Sequence, residues 1–182
     1  VSDVLPAVHA VFSSWHTPRA RTYRELHGIA HGGGTAVVVQ AMVLGDRDQD
    51  SGAGVAFSRD PGTGQRTPYG EILFGRRGTA VVDGTSVTRP LSDLERLPAV
   101  WAALRAALDR LERHYRDVCH VEFTVESGRL WFLQVRAGGL VGAAAIRAAV
   151  DLADEGLISR RTAVDRISAH DLAAARTPRA RA

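Results

Sequence analysis

The sequence predicts an α+β fold, with a mostly antiparallel sheet in the middle of the chain and helices flanking it. Three observations predict this class. Near the start, Val4, Val8 and Val11 recur at helical spacing. Short runs of β-branched and alternating residues follow in the middle of the chain. The region 142–176 is rich in alanine and helix-like.

The composition excludes several classes of protein. Of the 182 residues 45% are hydrophobic and 24% charged, so the chain can bury a core without metal or disulfide support. A single cysteine, Cys119, allows no intrachain disulfide and suits a reducing cytoplasm. No run approaches ~18 apolar residues, so no membrane-spanning helix is expected. All 23 basic residues are arginine and are spread along the chain, which argues against a P-loop and against nucleic-acid binding.

The first residues indicate how the chain begins. It starts with Val1 rather than methionine, and no basic region precedes an apolar run, so a signal peptide is not expected. We therefore expect either an alternative start codon or a piece of a longer protein.

Four regions are predicted along the chain. Residues 1–34 form a helical segment whose second helix runs over Arg19–Leu26 after Pro18, and residues 35–141 form a sheet-containing subdomain. Residues 142–176 form a helical linker region with a break near residues 155–159, and residues 177–182 form a basic tail.

Within the second region, hydrophobic patterns predict the strands and one long helix. Thr35–Leu44 is a nearly continuous apolar run, typical of a central strand covered on both faces. Shorter strands are predicted at Ala53–Arg59, and at Glu71–Phe74 paired with Gly78–Val82. The helix is predicted over Pro98–Arg116, and its buried stripe consists of Trp101, Leu104, Leu108, Leu111 and Tyr115.

A hairpin formed by residues 118–125 and 129–136 is the most informative segment. A two-residue loop at Ser127-Gly128 pairs Glu122 with Leu133 and puts Gln134 on the other face. A three-residue loop that includes Glu126 pairs Glu122 with Phe132 and His120 with Gln134. Glycine at the third loop position favours the second register. In that register one face carries His120, Glu122, Phe132, Gln134 and Arg136.

That face has two interpretations. Carboxylate and amide oxygens suit a hard cation such as Mg²⁺, and arginine suits a phosphate oxygen. A solvent-facing sheet surface with polar alternation explains the same residues, and the pattern alone favours it. The segment Asp50–Pro61 has two similar interpretations. Its glycines either let backbone amides approach a phosphate or form an ordinary turn between strands.

Six motifs follow one another in a fixed order along nearly the whole chain. They lie at residues 13–20, 34–43, 50–64, 114–117, 121–126 and 130–136. Among them are Gln-Ala-Met-Val at residues 40–43, Glu-Phe-Thr-Val-Glu at 122–126 and Leu-Gln-Val-Arg at 133–136. In this order they resemble the nucleotide-binding region of the pyruvate, phosphate dikinase family.

The resemblance implies a fold and a site. The fold is the C-terminal subdomain of an ATP-grasp domain, in which two subdomains clamp ATP. It assigns Glu122 and Gln134 to the cation and phosphates, with Arg136 beside them, and so reverses the preference for a plain surface. Mg²⁺ is the implied cofactor. The predicted ATP-binding set consists of Gln40, Ala41, Met42, Val43, Ser51, Gly52, Arg59, Glu122, Gln134 and Arg136.

The resemblance also implies an activity and partners. ATP phosphorylates a histidine on a separate domain with inorganic phosphate taking part, and that phosphohistidine phosphorylates pyruvate in a barrel domain. The expected partners are ATP, the early ATP-grasp subdomain, the phosphohistidine domain and the barrel, in a cytoplasmic homodimer. A phosphoenolpyruvate synthase or an antibiotic-modifying phosphotransferase is the alternative within phosphotransfer.

The chain departs from the family pattern at several points. It has His120 where the family has an aspartate and Trp15-His16 where the family has Trp-Asn. No histidine lies in a Gly-Gly-x-x-Ser-His context, so no catalytic carrier is expected within the chain. These departures favour a second hypothesis, in which the chain is a non-catalytic fragment, split-gene product or degenerate relative.

Overall fold

The computed structural model describes residues 4–75 and 88–176, which divide into two compact units. The first unit spans Val1–Met42 and the second Val43–Ala182. The predicted strand Gly78–Val82 and the predicted tail at 177–182 lie outside the described residues. The predicted helical region 142–176 belongs to the same unit as the sheet, and the predicted domain boundaries stay a prediction.

The first unit contains two helices, α1 (Val4–Ser14) and α2 (Pro18–Leu26), as predicted. The Thr17 hydroxyl caps α2 by accepting a hydrogen bond from the Ala20 amide at 3.4 Å, and Pro18 occupies the first turn. Both features favour the start of α2 at Pro18.

Arg24 holds this unit together. Its side chain is buried, and its guanidinium lies 4.0 Å from the centre of the Trp15 ring. Arg24 Nη1 donates to the Trp15 carbonyl at 2.9 Å, and Nε donates to His31 Nδ1 at 3.2 Å. These contacts fasten the glycine-rich segment that follows α2 to the end of α1.

The predicted central strand over Thr35–Leu44 is wrong. The segment has no regular secondary structure, and Val38, Val39 and Met42 are 80%, 70% and 72% exposed. Among the described residues, no backbone-to-backbone hydrogen bond engages residues 35–43. A β-branched run forms a strand only where another strand supplies the hydrogen-bond ladder, so its propensity alone was insufficient.

The second unit is built on a five-stranded antiparallel sheet of order β3-β2-β1-β4-β5. This confirms the predicted α+β class and most of the strands predicted within the described residues. The strands are β1 (Gly52–Phe57), β2 (Tyr69–Phe74), β3 (Arg89–Pro90), β4 (Cys119–Glu126) and β5 (Arg129–Ala137).

One face of the sheet packs against the long helix α3 (Pro98–Tyr115) and the short 3₁₀-helix Leu91–Arg96. The core joins Leu104 and Leu108 of α3 with Val121 and Phe123 of β4, all fully buried. Burying these side chains provides the main stabilisation of the unit. The opposite face of β4 is thereby left to the polar residues that alternate with the core positions.

The predicted stripe of α3 needs one correction. Trp101 and Leu111 pack against the core, but Tyr115 is 46% exposed. The buried position in the last turns belongs to Glu112, because its carboxylate pairs with a buried arginine described below.

Three helices complete the second unit, and the predicted break at residues 155–159 lies between the first two. They are α4 (Gly142–Asp154), α5 (Arg160–Arg166) and α6 (Ala169–Arg176). Asp171 of α6 accepts a hydrogen bond from the Gly142 amide at 2.8 Å and so ties α6 to the start of α4. Within the described residues, no helix is long and apolar enough to cross a membrane.

Candidate functional site

The hairpin β4–β5 turns through two residues, Ser127 (φ 48°) and Gly128 (φ 74°), so the predicted three-residue loop is wrong. Positive φ at both positions is typical of a type I′ turn, whose twist matches that of the flanking strands. Glu126 therefore pairs with Arg129 at the end of the ladder.

A β-bulge then changes the register. Phe123 pairs with Phe132, but Glu122 pairs with Gln134, so Leu133 is the extra residue. Directly paired residues project to the same face, which confirms that Glu122 and Gln134 face the same side. The predicted pairing of Glu122 with Phe132 is wrong. Glu122 and Gln134 reach the same face through the bulge and not through a longer loop.

The bulge also rearranges the neighbouring pairs. His120 lies opposite Arg136 rather than opposite Gln134. Phe132 lies opposite the core residue Phe123 and so is not paired on the side of Glu122. The side of the hairpin turned away from the core carries two directly paired sets near the bulge, which we call the Glu122 face: His120, Glu122, Gln134 and Arg136.

The oxygens of this face differ in their present partners. With its amide oriented to satisfy its neighbours, Gln134 Oε1 accepts hydrogen bonds from Arg136 Nη2 at 2.8 Å and from Arg136 Nε at 2.6 Å. Glu122 is partly buried, and among the described residues no hydrogen bond or ion pair engages its carboxylate. The face thus holds one amide oxygen bound by a guanidinium and one carboxylate that no residue in the described ranges hydrogen-bonds or pairs with.

His120 is held rigidly on the same face. Its ring stacks on Phe57 of β1, with ring centres 4.4 Å apart and planes 7° from parallel. Burial lowers the pKa of His120 below its usual value, the Arg136 charge lowers it further, and the Glu122 charge opposes both. His120 Nε2 is buried and has no hydrogen-bond partner among the described residues.

Trp131 is a further residue of this surface that sequence analysis left out of the predicted set. Trp131 lies opposite Thr124. Because Thr124 is two residues after Glu122 in β4, Trp131 and Glu122 are on the same side of the sheet. Its buried Nε1 has no partner within the described part of the chain, and the Arg129 guanidinium lies 4.2 Å from the ring centre. Strand alternation, counted with the two-residue turn, is the signal that would have found it.

Ser51 and Gly52 both make close contacts within the sheet unit. Ser51 is fully buried, where its hydroxyl accepts from the Ser127 amide at 2.9 Å and donates to Asp48 at 2.7 Å. Gly52 belongs to β1, where an added Cβ would lie 2.9 Å from the Leu73 carbonyl oxygen. The glycines of this segment thus allow close strand packing, and the predicted phosphate contact of both residues stays a prediction.

Arg59 is not brought to the Glu122 face. It is fully buried on the helix side of the sheet, where Nε and Nη2 donate to the Glu112 carboxylate at 2.9 and 3.0 Å. Glu155 accepts from Nη2 at 3.1 Å and Asp151 from Nη1 at 3.4 Å. Its guanidinium is satisfied by protein carboxylates, so the geometry gives Arg59 a structural position rather than a phosphate-facing one.

The remaining predicted residues lie on both sides of the division between the two units. Gln40, Ala41 and Met42 belong to the first unit and are exposed, while Val43 begins the second and is partly buried. Their assignment to the adenine side stays a prediction.

Cys119 precedes His120 in the sequence but lies on the opposite side of the sheet. Its thiol is buried on the core side, as predicted, and burial raises its pKa to about 11, with Glu112 and Asp117 adding to the effect. A protonated, enclosed thiol is a poor nucleophile.

The Glu122 face offers donors for a small cation. In residues 4–75 and 88–176 there is no cluster of three or more histidine, cysteine or acidic side chains. The oxygens of Glu122 and Gln134 suit Mg²⁺, which takes few protein ligands and fills its shell with water and phosphate oxygens. Glu122 and Gln134 are therefore the residues of this face that could hold a magnesium ion.

The comparisons with known proteins identify the family. Residues 1–92 match the family described as "Pyruvate phosphate dikinase, AMP/ATP-binding domain". The chain belongs to this family. The resemblance inferred from the motifs is confirmed.

Relatives from distant organisms agree. The chain is 46% identical over 174 residues to the pyruvate, phosphate dikinase of Rhizobium meliloti (strain 1021), a match that covers 88% of the chain and 19% of the relative. It is 44% identical over 171 residues to that of Clostridium symbiosum, covering 93% and 20%. The chloroplastic enzyme of Flaveria trinervia is 44% identical over 167 residues, covering 91% and 18%. The chain thus spans about a fifth of the length of the curated relatives it matches.

Proposed function

We propose that this chain binds Mg²⁺·ATP on the Glu122 face, as the C-terminal subdomain of an ATP-grasp-like nucleotide-binding domain. The observation that carries the proposal is the direct pairing of Glu122 with Gln134, which brings two oxygen donors together beside Arg136. Family membership supports the nucleotide, since the matching family is described by AMP and ATP binding.

Each residue of the face has a distinct part in this proposal. Glu122 and Gln134 hold the cation through oxygen atoms, and the cation neutralises charge on the phosphates. Arg136 now donates to the Gln134 oxygen and turns its guanidinium to a phosphate oxygen when the cation takes its place. The site acts by positioning and electrostatics, because the chain contributes no nucleophile there.

The whole protein's reaction follows as part of the same proposal. In a pyruvate, phosphate dikinase, ATP, pyruvate and phosphate would give AMP, phosphoenolpyruvate and diphosphate through a phosphohistidine. The early ATP-grasp subdomain, the phosphohistidine domain and the pyruvate-binding barrel would come from sequence outside these 182 residues, in a homodimer. The chain's share in the relatives' length, about a fifth, supports this division of labour.

A nucleotide titration of the 182-residue chain tests the proposal. Calorimetry with Mg²⁺ and ATP should give a saturable signal, and Glu122→Ala should weaken it by at least about tenfold, since a charged cation ligand is lost. Glu95→Ala is the matched control, because Glu95 is an exposed glutamate on the 3₁₀-helix, and it should leave the affinity unchanged. Binding that is millimolar or weaker and insensitive to Glu122→Ala would remove the assigned site.

A specific observation favours the second candidate, a non-catalytic module. His120 stands on the Glu122 face where an aspartate is expected in the family, and an imidazole is a poorer ligand for Mg²⁺ than a carboxylate. A folded chain that ignores Mg²⁺·ATP in the same titration would support this alternative.

A further inference from the structure

His120 combines three features that a histidine with only a packing role would not require. It lies on the Glu122 face two residues before Glu122, its ring is fixed by stacking on Phe57 at 4.4 Å, and its buried Nε2 has no partner in the described ranges. A buried polar nitrogen without a hydrogen bond destabilises the fold unless another group satisfies it.

The register of the strands around His120 indicates what that group is. Strand alternation puts His120 and Glu122 side by side, at about 6.8 Å along the strand, and the bulge puts Gln134 opposite Glu122. The neighbouring carboxylate has no partner among the described residues, and the neighbouring amide oxygen binds a positive group, the Arg136 guanidinium. Three donors, one nitrogen and two oxygens, therefore share one face.

We propose that His120 is a third ligand of the cation site and that its nitrogen shifts the site's preference from Mg²⁺ toward a transition-metal ion such as Co²⁺. Imidazole nitrogen binds Co²⁺, Ni²⁺ and Zn²⁺ well, whereas Mg²⁺ takes oxygen ligands. The proposal rests on the proposed function for the site's position, but it adds a residue and a metal class of its own.

The stacking on Phe57 preorganises His120 as a ligand. A ring held parallel to a neighbouring aromatic ring keeps its nitrogen in one direction and loses little rotational freedom on binding. Arg136 lies opposite His120 and donates to the Gln134 oxygen, so it moves aside when a second positive charge enters and is then free to turn toward a phosphate once a nucleotide binds.

The first experiment uses Co²⁺ as the probe with the whole chain, before any nucleotide is added. Co²⁺ is paramagnetic, so a directly bound imidazole gives strongly shifted ring-proton resonances. One such set is expected, and it should be absent from His120→Asp and present in His114→Asp. His114 is the matched control because it is an exposed histidine on α3. No shifted set in the wild-type chain, or loss of the set in His114→Asp, would overturn the proposal.

The second experiment adds ATP and compares metals. The ratio of the Mg²⁺ and Co²⁺ dissociation constants is measured by competition in the wild-type chain and in both variants, so that the metal preference of ATP itself cancels. His120→Asp should shift this ratio toward Mg²⁺ by at least about tenfold, and His114→Asp should not change it. An unchanged ratio in His120→Asp contradicts the proposal.

The two experiments keep the two proposals apart. ATP binding that depends on Glu122, without shifted His120 resonances and without a changed ratio, sinks the His120 ligand and leaves the nucleotide site standing. Shifted His120 resonances with Co²⁺, in a chain that binds no ATP, support the ligand and sink the nucleotide site.

Discussion

At the residue scale, Arg59 has the position least expected from its sequence context. The family resemblance assigned it to the predicted ATP-binding set, yet it is fully buried among Glu112, Asp151 and Glu155. The fork of a guanidinium matches two carboxylate oxygens at once, and the Glu112 contacts have that geometry. The network joins the end of β1 to α3 and to the end of α4.

Removing this guanidinium should destabilise the second unit strongly. In Arg59→Met the Glu112 carboxylate stays buried without its partner, and we expect a loss of about 3–5 kcal/mol in the free energy of unfolding. Urea denaturation followed by circular dichroism measures this loss. The control is Arg66→Met, whose half-exposed ion pairs with Asp109 and Glu155 should contribute no more than about 1 kcal/mol. Equal losses in the two variants would contradict the structural position of Arg59.

Small side chains also decide how closely the strands approach. Gly54 of β1 has no room for a methyl group, because an added Cβ would lie 2.5 Å from the Glu71 carbonyl oxygen and 2.7 Å from the Phe123 ring. β1 is the middle strand of five, so both its neighbours would have to move. Sequence patterns count such a glycine as a turn signal, since they carry no information about neighbours across a sheet.

At the element scale, Gly54→Ala should therefore loosen the central strand. Forcing β2 and Phe123 away from β1 should cost about 1–3 kcal/mol, seen as a lower unfolding midpoint of the sheet unit. Gly32→Ala adds the same methyl group in the first unit, where no atom lies within 4 Å, and should leave that midpoint unchanged. A tolerated alanine at position 54 would mean that β1 and β2 are not packed as described.

The β4–β5 hairpin shows which features of an element the local sequence determines. Its two strands and its glycine turn follow from alternation and from turn chemistry, and both were predicted. The bulge at Leu133 was not, because a bulge forms where the sheet and its core need it and leaves no local sequence signal. Glu122 and Gln134 were correctly predicted to lie on the same face, although the predicted three-residue loop was wrong. The actual loop is one residue shorter, and the extra residue Leu133 in the bulge compensates for the difference.

At the scale of the whole molecule, the chain is two compact units, and residues 34–42 end the first without regular structure. Proteolysis requires a stretch of backbone that can leave its surroundings, which an exposed segment without ladder hydrogen bonds supplies. Elastase, which cuts after small apolar residues, should therefore cleave within residues 35–42 well before it cleaves α4.

Mass spectrometry of early digestion products measures this order of cleavage. Alanine-rich α4 is the internal control, because its small residues are held in a packed helix. The fragment that begins near Val43 should keep the circular dichroism of the sheet unit. Cleavage of α4 at the same rate as residues 35–42 would contradict the division into two units.

From the amino-acid sequence one can predict the helices, most of the strands, the α+β class, the family and the placement of Glu122 and Gln134 on one face of the hairpin. These depend on periodicity, turn residues and motif order, which are local properties of the chain. Three features became visible only in the folded chain: Thr35–Leu44 pairs with no strand among the described residues, Arg59 lies in the core, and a bulge brings Glu122 opposite Gln134. Each of these depends on which distant groups supply hydrogen bonds, charge or space, and residues far apart in the chain supply them only after folding.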